Sequence, residues 1–432
     1  MKLAKSLFLG SVAGLAAVVS AQAADLPVKK AAPVEYVRVC STYGAGFWYI
    51  PGTETCLRVG GRVRADYLYG EPAFRAQDAI GFRARGRINI DTRTATAYGL
   101  LRAYIRYELE RNSGDIFGSS TGGLDQAFVQ FGGLTAGRVT SFFSNGDLPT
   151  GHMGTLRFDD APDVNLLAYT FSFGNGFSAT LALEDGLERR SNGFVIGGIA
   201  SEGLDYAGQR MPDVVANLKY NGTWGNFQLS GAAHQIRSNN LVSPFGSTGP
   251  VFPDSEYGYA IAASGAINLP MLAPGDAFWF MATYANGALA YLNSGNTDRI
   301  GVGTLSGAFV DGYVNTLTGD IERGKGWSVA GGLRHYWTPQ IRQNVFGSYM
   351  SVEYGRGAGA INPAGFVVGL NDFKEWRVGT NVIWQPVSGL DLGVEVIYAK
   401  LDPRGRVILP ATGQSLGSDT AWEGRLRVQR DF

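Results

Sequence analysis

Over 80–91 the chain reads Ile-Gly-Phe-Arg-Ala-Arg-Gly-Arg-Ile-Asn-Ile-Asp, with Arg83, Arg85 and Arg87 on every second residue and Phe82, Ala84, Gly86 and Ile88 between them. Successive side chains of a strand point to opposite faces, so the three guanidinium groups share one face at a spacing of roughly 6.6 Å. One face must meet water while the other is apolar. Slipping the register by one residue would exchange the two faces, and an arginine forced into hydrocarbon near a bilayer midplane costs about 2–4 kcal/mol. A segment of this kind fits a sheet with water on one side and lipid or a core on the other.

The start of the chain bears on which. Lys2 and Lys5 form a basic opening, 7–19 is a short apolar run, and Ala21-Gln22-Ala23 is a small-residue cleavage motif. Residues 1–23 therefore read as a secretory signal peptide, with cleavage expected before Ala24. The apolar run is too short to span a bilayer as a helix, and no later stretch reaches the roughly 18 apolar residues that would do so. Barrel strands are not excluded by this. Glycine supplies 61 of 432 residues, about twice its usual ~7% share, and aromatic content is high, a composition suited to a curved sheet. The formal net charge of +0 leaves no net basic surface to argue for nucleic acid.

Cys40 and Cys56 are the only cysteines. In an exported chain a disulfide is the default, contributing about 3 kcal/mol by the chain-entropy model. A metal site is the rival, but His152, His234 and His335 are each isolated in sequence. Neither a metal nor a cofactor is expected. No linker divides the remainder, so the chain is parsed as a signal peptide (1–23), an amino-terminal segment on the periplasmic side holding Cys40 and Cys56 (24–56), and one large barrel (57–432).

From Cys56 onward the alternation recurs in about sixteen segments of barrel-strand length. They cover 57–69, 80–91, 98–110, 124–131, 134–143, 164–173, 177–184, 214–220, 227–236, 257–269, 278–285, 327–337, 342–354, 373–385, 391–400 and 420–432. Their connections alternate between short and long: 94–97, 132–133, 174–176, 221–225 and 386–389 against 112–123, 144–163, 186–213, 237–256 and 286–326. Short turns at one end and long loops at the other are the signature of an antiparallel outer-membrane β-barrel, with its turns in the periplasm and its loops outside the cell. Trp376 and Trp384 bracket an apolar face on one segment, as Trp327 and Trp337 do on another. Eight residues on a tilted strand span about 20 Å, near the roughly 25 Å between aromatic girdles. The last segment turns Leu426, Val428 and Phe432 one way, and Glu423, Arg425, Arg427 and Gln429 the other.

Several stretches resemble the alphaproteobacterial general porins. One is Tyr36-Val37-Arg38-Val39-Cys40 followed by Tyr43-Gly44-Ala45-Gly46-Phe47-Trp48-Tyr49-Ile50-Pro51-Gly52-Thr53-Glu54-Thr55-Cys56-Leu57-Arg58, their amino-terminal signature. Others are the run from Phe128 through Gly132, Gly133 and Leu134 to Arg138, the turn Gly174-Asn175-Gly176-Phe177, and the end Arg427-Val428-Gln429-Arg430-Asp431-Phe432. The resemblance covers essentially the whole exported chain. It implies a sixteen-stranded homotrimeric barrel in the outer membrane of a Gram-negative bacterium, among lipid and lipopolysaccharide. It also implies a water-filled pore for passive diffusion of small hydrophilic solutes and ions, narrowed by the third loop folding into the lumen. The terminal Phe432 resembles the signal read by the outer-membrane assembly machinery.

On this reading Arg58, Arg62, Arg64, Arg83, Arg85, Arg87, Arg102 and Arg106 form a basic pore wall, which Arg138 extends. The third loop, 144–163, brings Asp147, Asp159, Asp160 and Asp163 opposite them and sets up a transverse field. Alternatives stay open. The arginines could form a solvated outer face or a lipopolysaccharide-binding rim, and the loop acids an exposed surface or a calcium site. The arginine wall could favour anions such as phosphate, and Tyr104 and Phe128 on water-facing sides raise sugar transport, making a substrate-selective channel the second reading. An enzyme is not expected, because no catalytic triad can be assigned among three scattered histidines.

Overall fold

A computed structural model describes residues 38–72, 75–114, 119–191, 201–293, 310–355, 358–361, 367–408 and 415–432. The expected signal peptide, and Tyr36 and Val37 of the amino-terminal signature, lie outside these residues. Sixteen antiparallel strands close into a barrel. They are β1 (Cys56–Gly70), β2 (Ile80–Thr96), β3 (Gly99–Ser113), β4 (Gly122–Phe131), β5 (Leu134–Thr140), β6 (Asp163–Gly174), β7 (Phe177–Glu184) and β8 (Asp213–Gly222). The circuit continues through β9 (Gly225–Ile236), β10 (Glu256–Asn268), β11 (Ala277–Asn286), β12 (Lys325–Thr338), β13 (Ile341–Glu353), β14 (Phe373–Val387), β15 (Leu390–Pro403) and β16 (Asp419–Asp431). Every neighbour in sequence is a neighbour in space, and β16 pairs back onto β1.

The alternation in sequence becomes inside and outside. On β1 and β2 the outward residues Val59, Val63, Tyr67, Phe82, Ile88 and Ile90 are exposed, while Asp66 and Asp91 on the inner face are buried. No backbone edge is left for lipid to meet, which is the condition for any sheet to cross a bilayer. At the seam the Gly61 amide donates to the Phe432 carbonyl at 2.9 Å, and the Phe432 amide donates to the Gly61 carbonyl at 3.1 Å. A Cβ on Gly61 would lie 2.4 Å from the Arg87 carbonyl oxygen and 2.6 Å from the Phe432 ring, so this close approach requires glycine.

The strand ends fall within a few residues of the expected ones at most positions. The largest departure is β2, which runs on to Thr96, while β5 stops short at Thr140 because the next residues turn inward as the third loop. Short turns gather at one end. In the turn from β6 to β7, Gly174, Asn175 and Gly176 all have positive φ (81°, 52° and 85°), the region that glycine and asparagine tolerate best.

Outward aromatics form a row towards the long-loop end of β10 to β16. Ring pairs Tyr259–Tyr284, Trp327–Tyr349, Trp376–Tyr398 and Tyr398–Trp422 lie 4.8–6.1 Å apart, and Tyr284 is in register with Trp327 as Tyr349 is with Trp376. Trp337 and Trp384 face outward near the short-turn end, with the Trp337 indole donating to Gln343 Oε1 at 3.0 Å. Cys40 and Cys56 form a disulfide. It holds residues 38–55 against the short-turn mouth, where Trp48 and Tyr49 pair with Leu57 and Cys56, and Phe47 packs beneath Arg58 and Arg93.

Candidate functional site

The two halves of the lumen differ. Residues 141–162 leave the wall after β5 and cross the interior. At the base, Ser141 Oγ and the Phe142 amide donate to the Glu184 carboxylate at 2.7 and 2.9 Å. The loop then runs along β8 and β9, where the Gln228 side chain donates to the carbonyls of Phe142, Phe143 and Ser144. It descends to Asp147, whose carboxylate meets the Lys219 ammonium at 2.6 Å. On the far side the Met153 and Gly154 amides donate to Glu395 at 2.6 Å each, and Arg425 donates to the Met153 carbonyl at 2.6 Å.

The loop is fixed where it meets β14. Arg157 Nε donates to Glu375 at 2.7 Å, Arg377 Nε donates to the same carboxylate at 2.7 Å, and Arg157 also reaches Asn293 Oδ1 at 3.0 Å. Only 2–3% of each of these three charged side chains is exposed. Such a cluster holds only while every member keeps its partners, because an unpaired buried charge is costly.

A second segment also enters the lumen, beside the third loop. Within the connection from β11 to β12, the sixth loop at the long-loop end counting from the one between β1 and β2, residues 288–292 are fully buried, and Tyr291 packs its ring 4.7 Å from Phe143 of the third loop. Phe143, Leu156 and Phe158 from the third loop, Leu289 and Leu292 from the sixth, and Trp279 from the wall belong to one continuous apolar core. Asp311 ties the sixth connection to the fourth. It accepts from the Leu289 and Ser191 amides at 2.5 and 2.7 Å and from the Tyr206 hydroxyl at 2.5 Å. Burial pushes its carboxyl above the usual range, a rise opposed by the nearby His234 ring and these hydrogen bonds. The run Leu289-Ala290-Tyr291-Leu292, apolar inside a long loop, was the sequence signal for this segment.

The opposite half is lined by charge. Arg62, Arg64, Arg83, Arg85, Arg87, Arg102 and Arg106 face the lumen, and the six that hold carboxylates keep 12–28% of their side chains exposed. Arg58 shares their face at the short-turn mouth. The wall is a lattice of ion pairs rather than bare cations. Arg83 meets Asp66 at 2.5 Å, Arg85 meets Glu110 at 2.5 Å and Glu108 at 2.8 Å, Arg87 pairs with Glu108, and Arg102 meets Asp91 at 2.9 Å. These carboxylates share the alternation of the arginines, so the same periodicity identifies them. Asp125 comes from a different device: a register shift between β3 and β4 adds a residue there, 3.6 Å from Arg87 and 4.0 Å from Arg106.

Arg138 does not extend the wall. It is in register with outward-facing Ala127 and Asn165 and grips Glu188 of the fourth loop at 2.6 Å, because inward-facing Gly137 and Val139 flank it on β5. The four loop acids do not form one face. Asp163 lies 3.9 Å from Arg106 and is held by Gln126 and Thr140. Asp159 is buried on the filled side with Ser144 and Arg189, Asp147 is taken by Lys219, and Asp160 is exposed. Tyr104 and Phe128 face inward but lie buried beneath Arg102, 5.0 and 5.3 Å from their ring centres, so they offer no open stacking surface.

Comparison with known proteins agrees with this architecture. The family model described as "Porin subfamily" matches residues 25–424. Porin Omp2b of Brucella canis is 30% identical over 446 aligned residues, spanning 99% of this chain and 99% of that protein, and Porin Omp2b of Brucella abortus aligns to the same extent. Among solved structures, the outer membrane channel DcaP of Acinetobacter baumannii superposes with a TM-score of 0.62 at 18% identity, covering 89% of this chain and 99% of that one. A barrel closed without an edge, a lumen half lined by charge and a match along nearly the whole sequence lead to one conclusion: the chain belongs to the porin family and is a β-barrel channel of the outer membrane.

Proposed function

We propose that this porin works as a homotrimer of passive diffusion channels, each passing small hydrophilic solutes and ions through the charged half of its lumen, beside the loop-filled half. The observation that carries the reading is the contrast in solvent access between the two sets of arginines, 12–28% on the wall against 2–3% under the loop. Water reaches one set and not the other. The narrowest part is then bounded by the third loop on one side and the ion-pair lattice on the other, a field that sorts solutes by size and charge.

The trimer draws support from the outer surface. Every tryptophan lies outside β1 to β7, and tryptophan favours the membrane interface. The arc from β1 to β7 presents Val, Ile, Leu, Phe and Tyr instead, a surface suited to neighbouring barrels, while β10 to β16 face lipid and lipopolysaccharide. Phe432, outward-facing at the end of the closing strand, fits the role of an assembly signal. The family is one of channels rather than enzymes.

Recording from the purified protein in planar bilayers tests the reading. Stepwise insertions of three equal conductances are expected. A protein that inserts without opening channels overturns diffusion, and single steps of one size overturn the trimer.

A further inference from the structure

The lumen faces of β1 and β16, the strands that close the barrel, carry Arg58, Arg62, Arg64, Arg425 and Arg427 against the carboxylates Asp66, Glu423 and Asp431. In register, Arg425 lies opposite Leu68, Arg427 opposite Asp66, Arg64 opposite Gln429 and Arg62 opposite Asp431. Guanidinium groups therefore descend the seam from Arg425 to Arg62 in steps of two residues, roughly 6.6 Å each, and Arg58 follows four residues beyond Arg62, past Gly60. The topmost, Arg425, is bonded to the third loop through the Met153 carbonyl, so the series starts where the loop meets the open half.

Its middle step differs from the rest of the wall. Arg62 holds Asp431 at 2.5 Å and Arg427 holds Asp66 at 2.6 Å. Arg64 instead donates from Nε to the neutral amide of Gln429 at 3.0 Å, and the residue opposite it on β2 is another arginine, Arg85. Arg85 is already engaged by Glu108 and Glu110. Among the described residues, Arg64 thus meets no carboxylate at ion-pair distance, although it is partly exposed to the lumen and has cations on three sides. Its terminal nitrogens remain a planar fork suited to a carboxylate or phosphate group.

We propose that the seam is an anion track with Arg64 as its binding step, Arg62 and Arg427 flanking it, and Arg58 receiving the solute at the short-turn mouth. The solutes are small oxyanions, carboxylates and phosphates. The site is open to water, so residence is brief and flux continues. This deepens the diffusion reading and rests on it.

Bilayer recordings in a potassium chloride gradient, with and without inorganic pyrophosphate, test the track on wild type, Arg64→Gln and Arg64→Lys. Wild type is expected to prefer chloride, and pyrophosphate to reduce its chloride current saturably. Arg64→Gln should move the reversal potential toward that of potassium and remove the pyrophosphate effect. Arg64→Lys should keep the reversal potential yet weaken the pyrophosphate effect, because an ammonium lacks the fork. Neither substitution strands a carboxylate, so the barrel is expected to close in both. If both variants keep the wild-type reversal potential and pyrophosphate sensitivity, the track is overturned while the channel stands. Wild type without channels overturns the diffusion reading and the track with it.

Discussion

The same residue type does two jobs on opposite sides of this barrel. On β14 and in the third loop, Arg377 and Arg157 share Glu375 away from water and fasten the loop to the wall. On β1 to β3, arginines pair with carboxylates just as closely but remain wet. The geometry of the pairs is alike, whereas their surroundings are not. In the dry cluster a lost partner strands a charge, whereas water reaches the lattice arginines and replaces a lost partner there, the buried carboxylates Asp66 and Asp91 excepted. The filled half is therefore fixed by packing and dry ion pairs, and the open half by the strand ladder, its charges left available to solutes.

The largest effect should come from breaking the dry cluster. Glu375→Leu leaves two buried guanidinium groups without their shared carboxylate, at a cost of about 3–5 kcal/mol. The third loop should loosen, seen as a lower unfolding temperature and a larger, noisier single-channel conductance. An unchanged conductance would show that apolar packing alone holds the loop. Next comes the mouth of the open half, where the strap 38–55 is linked covalently. Replacing Cys40 and Cys56 together with serine should remove about 3 kcal/mol, measured by thermal unfolding, with conductance preserved. The smallest effect sharpens the comparison most. Arg85→Gln combined with Glu110→Gln removes a wet pair without changing net charge, and should alter stability by about 0–1 kcal/mol and leave the reversal potential in place. A loss comparable to that of Glu375→Leu would erase the distinction between the halves.

Much of the barrel was legible in sequence because it depends on a period of two. The alternation that put Arg83, Arg85 and Arg87 on one face also placed Trp376 and Trp384 on the other side of their own strand, and it needs no information from beyond each segment. The same period puts Glu108 and Glu110 on the face of Arg102 and Arg106, so the ion-pair lattice is legible as well, and attention to the arginines alone makes the wall look purely basic. Arg138 was misplaced because β5 is short and a single residue of phase decides which side a charge takes. The loop acids were beyond reach for another reason. A loop has no fixed period, so Asp159 and Asp163, four residues apart, end on different sides of the lumen.

By itself the sequence determined the sixteen alternating segments, the asymmetry of their connections, the cysteine pair available for a strap and, on the longer strands though not on short β5, which residues face inward. These follow from local rules of pleat, turn and register. Tertiary structure alone decided that the third and sixth connections meet inside the barrel, that Glu375 serves two arginines from different parts of the chain, and that Arg64 on the closing strand faces Gln429 rather than a carboxylate. Each of those facts depends on which side chains a closed barrel brings together across long stretches of sequence, and only closure fixes that.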